Sequence, residues 1–162
     1  MYSRTFTSII LDYVTQFWEA YPENRKFFRT HFSNAHENLG ELVKYMDDEL
    51  LNFLKYFHEK GYLDDTIVFF VADHGAHEFS IRFPLFPDNS RSIENSHPVL
   101  MNLVKNDIPK ENLEFLRSNE QAFMSSHDFY STLKTIANGE WSNSHKSRSY
   151  PYIAQVMPHD RD

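Results

Sequence analysis

The stretch Asp65-Thr66-Ile67-Val68-Phe69-Phe70-Val71-Ala72-Asp73-His74-Gly75 decides how the rest of the chain is read. Six apolar residues in a row, without alternation, describe a strand covered on both faces, the pattern of a central parallel strand. The run stops at a carboxylate, an imidazole and a glycine, and Gly75 permits a sharp turn because it has no Cβ. In open α/β sheets, ligands bind outside the carboxyl ends of such strands. Asp73 offers a hard anionic oxygen and His74 a neutral imidazole nitrogen, a pair suited to zinc, manganese or a similar divalent ion. Without a function, the same residues describe a buried strand followed by an ordinary Asp-His-Gly turn.

Upstream, the apolar positions Phe6, Ile9, Ile10, Tyr13, Val14, Phe17 and Trp18 follow the three-four spacing of one helix face and predict a helix from Thr5 to Ala20. The aromatic segment Lys26–Phe32 is short and ends in a polar turn, so it predicts a strand. Asn38 with Glu41 three residues on resembles a capping box. It precedes Leu39, Leu42, Val43, Met46, Leu50, Phe53, Leu54 and Phe57, and Gly61 closes this second helix. Strand, helix and strand make a βαβ unit, whose strands run parallel. That topology brings His36 to the same sheet edge as Asp73 and His74. The consecutive acids Asp47, Asp48 and Glu49 point in different directions on a helix and read as a solvated face.

Downstream, no period survives from Ala76 to Pro98, which predicts an irregular loop over the site. It carries His77, three residues past His74, and Arg82, whose guanidinium suits an anionic substrate. Val99–Val104 predicts a further strand. Pro109 opens one helix and Ser125 another, with Asp128 as a capping acid and Gly139 as the stop. The expected plan is an α/β domain over residues 1–139, with a mostly parallel sheet flanked by helices, followed by a polar tail over 140–162.

A length of 162 residues suffices for one hydrophobic core, and 41% apolar with 16% aromatic residues argues against disorder. The net charge of −7 and the lack of a long basic run argue against nucleic acid as a partner. No apolar run approaches the ~20 residues of a membrane span, and no secretory signal pattern is present. With no cysteine there is neither a thiolate metal site nor a cysteine nucleophile. Localisation stays open.

The segment from Leu63-Asp64-Asp65-Thr66 to Asp73-His74-Gly75 resembles the metal-binding signature of the alkaline phosphatase superfamily, in its sulfatase-like branch. The resemblance covers about Phe27 to Ile136. It implies hydrolysis or transfer of phosphate or sulfate esters, with Asp73 and His74 on one divalent metal: zinc, manganese, calcium or magnesium. In two-metal members a His similar to His36 is a ligand and follows an Asp four residues earlier. That position here is Phe32, which favours the one-metal arrangement and gives His36 a catalytic contact with the ester or its leaving group. The resemblance also implies that the loop after Asp73, with His77 and Arg82, shapes the substrate pocket, and that Asp128 belongs to a scaffold helix.

Relatives of this branch take a further metal-binding Asp and a nucleophile from an amino-terminal strand, and no such pair is recognisable here. The expectation is therefore the carboxy-terminal portion of a metal-dependent ester hydrolase, with an incomplete fold and no activity alone. The alternative is a non-catalytic binding or assembly domain derived from that fold, engaging a protein partner at an exposed sheet edge.

Overall fold

The computed structural model describes residues 4–36, 42–75, 96–105, 108–139 and 153. By contact density the chain divides into two compact units, residues 1–103 and 104–162.

In the first unit, helix α1 spans Phe6–Ala20. The hydroxyl of its cap, Thr5, accepts the backbone N–H of Ser8 at 3.0 Å, satisfying one of the open donors of the first turn. Its buried residues are Thr7, Leu11 and Val14, whereas Phe6, Ile9 and Tyr13 are exposed. The face turned inward is thus rotated from the aromatic stripe seen in the sequence, and the two share Val14. A 3-10 turn over Leu42–Met46 leads into helix α2, Asp47–Glu59. Asp47 and Asp48 are exposed, as a solvated first turn requires, and they sit at its positive end. Gly61, in the left-handed region at φ 72°, then reverses the chain into a second 3-10 turn, Tyr62–Asp64.

The unit is held by aromatic rings. Phe57, 2% exposed, meets Phe53 at 4.2 Å between centroids, Tyr62 at 5.3 Å and Trp18 of α1 at 5.5 Å. Phe28 extends the cluster, 5.4 Å from Phe17 and 6.5 Å from Trp18.

The sheet corrects the expected parallel architecture. Strand β1, Val68–Val71, pairs with strand β2, Leu100–Leu103, and the pairing is antiparallel, with Val68 opposite Leu103 and Val71 opposite Leu100. Among the described residues the sheet has these two strands, so the fold is a mixture of helices with a small antiparallel sheet and not a mostly parallel one. Residues 26–32 are no strand, and α2 is therefore no βαβ crossover. Phe28 explains the difference: it commits the segment to the aromatic face of α1, and β1 pairs instead with the strand that returns after it.

In the second unit, helix α3 covers Lys110–Ser118 and helix α4 covers Ser126–Asn138. Asp128, 0% exposed, accepts the backbone N–H of Ser125 at 2.8 Å and its hydroxyl at 2.7 Å, forming the capping box at the start of α4. The Thr132 hydroxyl donates to the Asp128 carbonyl at 2.9 Å, so a polar helix face is buried with its groups paired. Ile153, 1% exposed, accepts the Asn112 side-chain N–H at 2.8 Å through its carbonyl. Among the described residues, no helix is long and apolar enough to cross a membrane.

Candidate metal centre

β1 carries the chain to the candidate site, and the rung just beyond it sets the position of Asp73 and His74. The Ala72 N–H donates to the Val99 carbonyl at 2.9 Å, immediately before Asp73 leaves the ladder. The Asp73 carboxylate then folds back and accepts the His74 backbone N–H at 3.0 Å. Its side chain is 82% exposed against 37% for His74, so the acid faces solvent and the imidazole is partly covered.

The imidazole is oriented by the next residue. His74 Nδ1 lies 2.7 Å from the Gly75 carbonyl, and because a carbonyl only accepts, this contact assigns the proton to Nδ1. The other ring nitrogen, Nε2, lies 3.6 Å from Asp73 Oδ2. Two ligands about 2.0–2.1 Å from a tetrahedral ion stand about 3.4 Å apart, so the pair fits a shared divalent metal. A metal-binding histidine usually anchors its other ring nitrogen on a carbonyl or carboxylate, and the Gly75 carbonyl supplies that support.

Asp73 is also the more acidic for its surroundings. Hydrogen bonding from its own backbone N–H contributes most, and His74 and the charge of His31 add to it. Together they outweigh partial desolvation and hold the carboxyl below its ordinary range. The site thus keeps an ionised carboxylate oxygen.

His31 is the residue that sequence reasoning missed. It precedes Phe32 in the segment with strand composition, is exposed, and contributes electrostatically to the lowered Asp73 carboxyl. Its alternation with half-buried Phe32 was the one available signal. His36 is exposed and ends the 3-10 turn Ser33–Ala35, its backbone N–H donating to the Ser33 carbonyl at 3.0 Å. His77 and Arg82 lie outside the described residues. Among the described residues, no three His, Asp or Glu side chains come together as a metal-binding group.

Residues 1–152 match the model of the family DUF229, described as a protein of unknown function, and the chain belongs to that family. Neither a curated protein nor a solved structure matches it.

Proposed function

We propose that this chain contributes the Asp-His-Gly part of a metal-dependent phosphate or sulfate ester hydrolase of the sulfatase-like branch. The observation that carries the reading is the pairing of His74 Nε2 with Asp73 Oδ2 at 3.6 Å, with Nδ1 held by the Gly75 carbonyl. Bound there, a divalent ion would supply Lewis-acid polarisation of an ester oxygen. The chain's own residues have simpler tasks. Asp73 provides negative charge, His74 a ring nitrogen, and Gly75 orients the ring. His36, His77 and Arg82 belong to this proposal as substrate-facing groups.

Two ligands fall short of the three protein ligands usual for catalytic zinc, and an ester hydrolase of this kind also needs a positioned nucleophile. On this reading the 162-residue chain binds a divalent ion weakly and turns over no ester at a useful rate without further polypeptide. Isothermal titration with manganese and zinc, beside nitrophenyl phosphate and nitrophenyl sulfate assays, tests both halves. Metal binding lost in Asp73→Ala is the expected result; binding unchanged in that variant sinks the proposal.

A second reading is favoured by the sheet. Val99, Met101 and Leu103 alternate along one face of β2, 53%, 56% and 40% exposed, opposite Ala72, Phe70 and Val68 of β1. Apolar surface of this kind suits a binding or assembly domain that engages a protein partner. Equal metal affinity in wild type and Asp73→Ala, together with self-association or capture of a partner, would favour it.

A further inference from the structure

The chain carries a net charge of −7, but residues 25–31 reverse it locally: Arg25, Lys26, Arg29 and His31 fall within seven positions that hold no acid. The segment belongs to no helix, turn or strand, and from Arg25 to Arg29 its exposure alternates as in an extended chain. Lys26 and Phe28 turn inward. The Lys26 ammonium lies 5.6 Å above the Trp18 ring and donates to the Asn24 carbonyl at 3.0 Å, and Phe28 packs on α1. Arg25, Phe27, Arg29 and His31 are exposed, Phe27 at 77%. Among the described residues, no backbone–backbone hydrogen bond involves residues 25–31.

We propose that residues 25–31 form a docking strip for an extended acidic peptide, which adds to them as a β-strand. The strip has three properties that together select this partner. Its backbone donors and acceptors are open, and another main chain satisfies them in alternation. Its outward side chains read cation, aromatic, cation at every second residue, with Arg25 and Arg29 about 13 Å apart at strand rise. A peptide that alternates acid, apolar and acid on one face meets all three at once, since residues directly opposite on paired strands are neighbours. A sulfated polysaccharide would answer the charge but offers no ladder. Lys26 and Phe28 fasten the strip to α1, which limits the ordering cost of binding. Arg25, Phe27 and Arg29, whose side chains carry the recognition, take no part in the metal-site reading.

The experiment uses the whole chain and a fluorescein-labelled peptide repeating Glu-Thr-Val-Thr, followed by fluorescence anisotropy at low and high salt. Comparison peptides replace Glu by Lys, or Thr by Pro, and a sulfated hexasaccharide serves as a further probe. Saturable binding of the acidic peptide is expected, about tenfold weaker in the charge-reversed Arg25→Glu/Arg29→Glu protein and regained there by the lysine peptide. Phe27→Ser should weaken it as well, and circular dichroism reports whether these surface variants fold. The proline peptide keeps the charges but lacks half the donors, so it should bind poorly. Equal binding of acidic and proline peptides, no response to charge reversal, or binding of the hexasaccharide alone would each overturn the assignment.

Discussion

His74 presents Nε2 towards Asp73 Oδ2 at 3.6 Å while its other ring nitrogen is held on the Gly75 carbonyl at 2.7 Å. This relationship predicts that His74→Ala and Asp73→Ala weaken divalent metal binding by similar factors, because each removes one of two ligands. His74→Gln should not restore it, since a glutamine amide lacks the imidazole lone pair. Manganese paramagnetic resonance of the purified chain gives the free-ion fraction directly. A large effect in one variant and none in the other would show that the two do not share an ion.

At the junction of α1 and α2 the Tyr56 hydroxyl donates to the Glu19 carboxylate, which raises the phenol from its ordinary 10.0 to about 12. The folded chain therefore holds this proton more tightly than the unfolded chain. The contribution is fully present below pH 10.0 and is lost as the pH climbs towards about 12. Ultraviolet titration of tyrosinate in wild type should show a late step that moves down towards the ordinary range in Glu19→Gln. An unchanged titration curve would contradict it.

Phe57 touches three other rings and is 2% exposed, so Phe57→Ala should leave a cavity between α1 and α2 and cost about 3–5 kcal/mol. Phe57→Leu, which keeps most of the volume, should cost markedly less. Urea denaturation followed by the Trp18 fluorescence reads both.

Asp128 accepts two hydrogen bonds from Ser125 while fully buried. Asp128→Ala should destabilise α4 by about 2 kcal/mol or somewhat more, through the lost cap and the donors left without an acceptor. Ser125→Ala removes one of the two contacts and should cost less. Amide hydrogen exchange along Ser126–Asn138 locates the effect; protection unchanged across that helix would rule it out.

Much of the local structure could be read from the sequence because its causes are local. Gly61 and Gly139 stop their helices in the left-handed region, Ser125 and Asp128 start one, and the apolar run carries β1. Pairing could not be read in the same way. Six apolar residues from Ile67 to Ala72 indicate desire for cover and say nothing of the direction of the neighbouring strand. Lys26–Phe32 has strand composition, but Phe28 finds a better-packed place on α1, an outcome set by distant residues. The influence of His31 on Asp73 is long-range as well, joining positions about forty residues apart by charge rather than by any pattern of spacing.

The Ala72–Val99 hydrogen bond gives the antiparallel pairing a consequence for how this chain can vary. Ala72 and Val99 stand side by side at the end of the ladder, so the two ends of the connection between β1 and β2 are held together. Closing such a loop depends only weakly on its length, each doubling costing about 0.6 kcal/mol. Insertions and deletions after Gly75 should therefore be tolerated without moving Asp73, which lets that connection change in length and composition while the Asp73-His74 pair stays in place.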